Sequence, residues 1–184
     1  CKLYPNSTLA RARHTNQNNI FHNNLVINMP TNQSLWDFSC ELYQSADVQE
    51  SCLQLQDQHS CNIPLLLFCC WAGLRYGAVS IAQLQEMKAF PDGFSTQVTQ
   101  PLRMLRRSMK HSYNSVWPIT GDKWEELRLS IKSAELDSEQ LLLEGLDRLS
   151  CAWQEVKGTR ADVLVNILLC FPEVPEQEFK GIYS

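Results

Sequence analysis

No stretch of this chain carries the roughly 18 to 20 apolar residues that a bilayer span needs. The most apolar run, NIPLLLFCCWAGLRYG from Asn62 to Gly77, meets Arg75 before it reaches that length. No compact apolar segment followed by small residues opens the chain, so no secretory leader is read and the cytoplasm is the expected compartment. Strict apolar/polar alternation is missing as well, which argues against a sheet. Glycine is scarce, with seven scattered residues and no glycine-rich phosphate loop, and GxSxG, HExxH and DDxxD patterns are absent. The eight cysteines include no CxxC pair, the local spacing a structural zinc site or a thioredoxin-type couple needs. Neither sign of charge dominates: 16 basic against 20 acidic residues leave a net charge of -4, which counts against a surface that coats nucleic acid or anionic membrane. No cofactor, metal or membrane span is expected, and nucleic acid ranks last among partners.

What is there is helical period almost throughout. Ser34 reads as the N-cap of SLWDFSCELYQ, where Leu35, Phe38 and Leu42 recur at helical spacing. Ser45 starts a second helix with Val48, Cys52 and Leu55 on one face and glutamines on the other. Asn62 caps the apolar run, Pro64 is tolerated in its first turn, and Gly73 and Gly77 are places for it to weaken and stop. IAQLQEMKAF follows Ser80 and is expected to end at Pro91-Asp92-Gly93, with a fresh helix near Ser95 that meets Pro101 as a kink or a new start. Trp117-Pro118 and Gly121 mark a loop. A long helical pattern from Asp122 to Val156 carries Trp124, Leu127, Ile131, Ala134, Leu141, Leu142, Leu146 and Leu149 as its stripe. Asp137 with Gln140 offers a cap that would break it in two. RADVLVNILLC stops before Pro172.

The expectation is an all-α, single-domain helical bundle of about six or seven helices spanning residues 29–171. Residues 1–28 are asparagine-rich and hold no acidic residue, and they read as a disordered extension or as upstream sequence with Met29 as the start. Residues 172–184 read as a loosely ordered tail.

LWDFSCELY, VQESCLQLQDQHSCNIPLLLFCCWAG, VTQPLRMLRRSMK and IKSAEL together resemble an uncharacterised family of small proteobacterial helical proteins carried as a domain of unknown function. The resemblance covers about Ser34 to Leu149. It rests on Leu35, Trp36, Asp37, Phe38 and Tyr43, then Gln56, Asp57, Leu66, Phe68 and Trp71, then Pro101, Leu102, Arg103, Arg106, Arg107, Lys132 and Glu135. It implies a helical cytoplasmic domain and assigns no activity, so no catalytic residue follows from it.

Among the polar residues, PLRMLRRSMK carries the clearest pattern. Arg103, Arg106, Arg107 and Lys110 fall at i, i+3, i+4 and i+7, one helical face, against Leu102, Leu105 and Met109 on another. Guanidinium forks suit carboxylate and phosphate oxygens. A solvated face explains the same stripe, as do internal partners. Arg128, Lys132, Glu135 and Glu139 form a charged stripe on the long helix, with Glu135 to Arg106 or Arg103 the preferred pair and Gln56 and Asp57 as further members of a polar constellation. The thiols at Cys52, Cys69, Cys151 and Cys170 occupy apolar positions and read as packing. His59 and Cys61 with Cys69 or Cys70 make a poor metal set. Two functions are open: a non-enzymatic module that binds a protein partner through its apolar and arginine-rich faces, or an enzyme or ligand-binding protein with an arginine-glutamate pocket for a small acidic or phosphorylated ligand.

Overall fold

Each helix begins where the sequence supplies a cap. In the computed structural model, which describes residues 33–111 and 121–183, Ser34 accepts from the Asp37 N–H and opens α1, Leu35–Leu42. The expectations for residues 1–28 and for the Trp117-Pro118 loop lie outside the described residues. Ser45 stands at the start of α2, Ala46–His59, without a side-chain capping bond, while Asn62 accepts from the Leu65 N–H to open α3, Ile63–Tyr76. Ser80 and Gln83 form a reciprocal capping box at the head of α4, Ile81–Phe94, and Thr159 and Asp162 do the same for α7, Arg160–Cys170. Between them run α5, Gln100–His111, and α6, Asp122–Ser150; a 3₁₀ turn at Glu176–Phe179 leads into α8, Lys180–Tyr183. Among the described residues there is no strand, and none of their helices is long and apolar enough to cross a membrane.

The bundle is built around α3. Every residue from Ile63 to Gly73 is buried, as an all-round apolar helix requires, with α1, α4, α6 and α7 packed about it. Gly73 does not weaken the helix; it brings α7 close. A Cβ there would stand 2.6 Å from the Val163 Cα and 2.7 Å from its nitrogen. The segment before α7 runs back along the end of α3, where the Val156 N–H donates to the Arg75 carbonyl and the Gly158 N–H to that of Leu74. These bonds satisfy carbonyls that a helix end leaves open. Gly77, at φ 76°, then ends α3 in a conformation glycine adopts readily. Buried Asn166 holds the turn that follows, accepting from the Val79 N–H and donating to the Gly77 carbonyl.

Three expectations are corrected. The Pro91-Asp92-Gly93 signal does not stop α4, which passes through it and continues through a π turn, Ser95–Thr99, directly into α5. A proline inside a helix lacks an N–H and its ring presses on the carbonyl four residues back. The π turn, closed by the Gln100 N–H on the Ser95 carbonyl, lets the helix run on into Pro101. The long pattern forms one helix of 29 residues that ends at Ser150, so Asp137 and Gln140 make no break. Its buried side keeps only part of the expected leucine stripe: Leu142 and Leu146 turn inward, joined by Leu143, Glu135, Ser138 and Glu139, while Leu127, Leu141 and Leu149 face solvent. Finally, the tail is docked: Phe179 and Ile182 are fully buried, and Gly181 lies so near α2 that a Cβ would meet the Ser51 Oγ at 2.0 Å.

Candidate functional site

The buried polar face of α6 meets α5 in a quartet of charges. Glu135, 1% exposed, accepts from Arg103 Nε at 3.0 Å and from Arg106 through Nε and, at 3.2 Å, Nη2. Arg103 reaches further, donating from Nη2 to Glu139 Oε1 at 2.7 Å. Glutamates at i and i+4 on α6 and arginines at i and i+3 on α5 share facing sides of two packed helices, which is why the four converge. Below them the buried hydroxyls of Thr99 and Ser138 lie 3.0 Å apart, and Ser138 donates to the Glu135 carbonyl. Burial of such charges is expensive unless they are paired and hydrogen-bonded, and here they are.

Glu139 differs from its neighbour. Burial pushes its carboxyl up to about 7, and the Glu135 charge adds to the rise, against the opposing pull of Arg103 and Arg106. It lines a small cavity of about 40 Å³ with Tyr43, Gln49, Cys52, Gln56 and Leu143. Arg103 stands on the other side of the quartet, in the wall of a groove of about 520 Å³. One wall of that groove is the corner between α2 and α3, with Gln56, Ser60, Cys61 and Asn62. The π turn supplies Ser95, Thr96 and Thr99, and α5 supplies Gln100, Arg103, Met104 and Arg107. At the rim Arg107 Nη2 donates to Asp57 Oδ1 at 2.8 Å, and both side chains are more than half exposed.

The stripe of four basic residues is therefore divided. Arg103 and Arg106 point into the bundle, Arg107 stands at the groove and Lys110 is exposed. Leu105, expected on the apolar side, is 49% exposed, and Met104 beside it 70%. The expected pairs of Glu135 with Arg103 and Arg106 both form, and Gln56 borders both cavities. Lys132 is half-buried one turn before Glu135. Arg128 belongs to another pair, with Glu125 on its own helix. The sequence places Glu139 on the charged stripe of α6 without giving it a role of its own, and Thr99 and Ser138 were not singled out. A glutamate, serine, glutamate run at 135, 138 and 139, placed just before the leucines of the same helix, was the available sign.

Thiol chemistry finds no footing in the core. Among the described residues the free cysteines at 52, 61, 69, 70 and 170 are buried, while Cys151, expected in an apolar position, is exposed. Desolvation drives the Cys52 thiol up to about 12 and that of Cys61 to about 11, and Cys70 is raised for the same reason. A hydrogen bond with Cys170, together with burial, raises Cys69. Among the described residues no group of three or more His, Cys, Asp or Glu side chains is arranged to hold a metal ion.

No curated protein and no solved structure matches the chain. A family model described as "Protein of unknown function (DUF2390)" matches residues 34–146, the segment that runs from the cap of α1 through the charge quartet. The chain belongs to that family, DUF2390.

Proposed function

We propose that this domain is a non-enzymatic binding module that receives an acidic segment of a partner protein in the groove between the α2–α3 corner and α5. The observation that carries it is Arg107 beside Met104 on the open wall. Arg107 holds Asp57 in a solvent-exposed pair, and such pairs contribute about 0 to 1 kcal/mol, so an incoming carboxylate exchanges for Asp57 at little cost. Met104, a flexible apolar side chain 70% exposed one turn away, offers the contact a polypeptide can cover. Arg103 and Arg106 do not serve a partner directly, because Glu135 and Glu139 already hold them. The non-catalytic reading is supported by carboxylates tied to guanidinia, by core thiols raised out of the thiolate range, and by a groove whose lining includes no histidine.

Acidic peptides of varied sequence, titrated against the protein and against Arg107→Ala and Met104→Ala, test this. Binding is expected to weaken with salt and to fall about tenfold or more in Arg107→Ala, while the unfolding midpoint stays where it was. Binding that is indifferent to Arg107 refutes the groove. One observation favours a second reading, a small carboxylate or phosphate ligand: the groove's volume lies within the range of small-molecule sites, and Gln56, Asn62, Thr99 and Gln100 bring amides and hydroxyls to it. Native mass spectrometry that finds a small acidic molecule carried through purification, and lost from Arg107→Ala, would decide for that reading.

A further inference from the structure

Resting on the groove as the place where an acidic group binds, we propose that Glu139 makes this binding proton-linked, with the groove accepting an acidic group more tightly when Glu139 is neutral. Arg103 is the connection. Its Nε is held by Glu135 and its Nη2 by Glu139, and the same side chain forms part of the groove wall. With both glutamates ionised the quartet of Arg103, Arg106, Glu135 and Glu139 has no net charge. With Glu139 protonated it has one positive charge, next to where the ligand's carboxylate sits. Glu139 is 5% exposed, so water screens little of that change.

The groups around Glu139 leave the change to it. α5 presents Arg103 and Arg106, permanently charged. Its own helix presents Glu135, with half-buried Lys132 a turn earlier. Tyr43 at the end of α1 and Cys52 of α2, whose thiol burial pushes up, line the same cavity, and α3 brings the apolar Ile63, Pro64 and Leu67 to it. The Asp57–Arg107 pair stands at the groove's outer rim. Burial places the carboxyl's midpoint near 7, within the range a cell or compartment visits.

The test uses an N-acetylated aspartate hexapeptide, with no amine to titrate and its carboxylates ionised throughout the range pH 6 to 8.5, titrated against the full chain by calorimetry. A 13C carboxyl titration by NMR follows Glu139 in parallel. Wild type is expected to bind about threefold or more tightly at pH 6 than at pH 8.5, the effect of one added charge at groove distance. Glu139→Gln, which fixes the neutral form, is expected to bind at pH 8.5 as wild type does at pH 6 and to lose the pH dependence; this separates Glu139 from every other group that titrates in the window. The carboxyl resonance that Glu139→Gln removes should move with the same midpoint as the affinity. Wild-type affinity that is flat with pH, or a pH dependence that survives in Glu139→Gln, overturns the linkage and leaves the groove standing. No binding of the hexapeptide at either pH, in wild type or variant, overturns the acidic-segment reading and the linkage with it.

Discussion

Replacing Glu135 by glutamine keeps the shape of the side chain and removes one charge from the centre of the quartet. Glu135 accepts three guanidinium N–H bonds at 1% exposure, so the change leaves Arg103 and Arg106 with Glu139 as their remaining carboxylate in the quartet. Breaking a buried pair by removing one partner costs about 3–5 kcal/mol. The two arginines are 15% and 19% exposed and so recover some hydration, which puts the expected loss near the lower end, about 3 kcal/mol. For a domain of this size that is a fall in Tm of about 6–12 °C. Urea unfolding followed by circular dichroism, with an unchanged slope, measures it. The contrast lies in the fourfold replacement Arg103→Met, Arg106→Leu, Glu135→Leu and Glu139→Met. Exchanging a whole buried ionic group for apolar side chains of similar volume is often neutral or stabilising by about 1–4 kcal/mol, so this variant should equal wild type or exceed it. If Glu135→Gln loses less than about 1 kcal/mol, or the fourfold variant is as weak as the single one, the quartet is not the desolvated, mutually compensated group described above.

Three further outcomes are expected. Gly73→Ala forces a methyl to within 2.6 Å of the Val163 backbone, and, since backbone cannot step aside as a side chain can, thermal unfolding should show a loss of about 3 kcal/mol; an unchanged midpoint would mean α3 and α7 do not meet there. Glu139 binds its proton more tightly folded, with a midpoint near 7 against an ordinary 4.5, so its contribution to stability is greatest below pH 4.5, declines as pH rises toward 7 and is constant above. Unfolding free energies from urea titrations between pH 5 and 8 should therefore fall in wild type by up to about 3 kcal/mol more than in Glu139→Gln, and parallel curves would contradict the assignment. Among the free thiols at 52, 61, 69, 70, 151 and 170, Cys151 alone is exposed, so native-state thiol titration of wild type and Cys151→Ser should differ by one fast-reacting equivalent. Rapid reaction of Cys69 or Cys70, located by mass spectrometry, would show that the core opens.

Much of the helical order was legible because its signals are local. Ser34, Asn62 and Ser80 start helices by accepting N–H groups within three residues of themselves, and the all-round apolar character of Ile63 to Gly73 admits only a central position. Cys52, Cys69 and Cys170, expected as packing, are buried, whereas Cys151, expected likewise, is exposed because it lies just past the end of α6. Proline signals were less informative. Pro91 and Pro101 mark breaks in an isolated helix, but here a π turn takes up the misfit while Ser95 and Thr99 bury against the rest of the bundle, so tertiary packing outweighed the local preference.

The sequence by itself determined that the chain is helical, which helices carry the core, and that arginines on α5 and glutamates on α6 sit at spacings able to meet. The buried faces of α1 and α2, Leu35, Phe38 and Leu42 and then Val48, Cys52 and Leu55, follow from spacing, but only the tertiary structure decided which sides of α5 and α6 turned inward. Helical spacing defines faces without saying which of them a neighbour covers, and α5 shows the difference: Arg103 and Arg106 enter the bundle where glutamates await them, while Arg107, Met104 and Leu105 are left to solvent. The same holds for Glu139, whose sequence neighbours say nothing of the desolvation that raises its carboxyl. That shift comes from helices far along the chain closing over it, a property of the packed arrangement and of no segment taken alone.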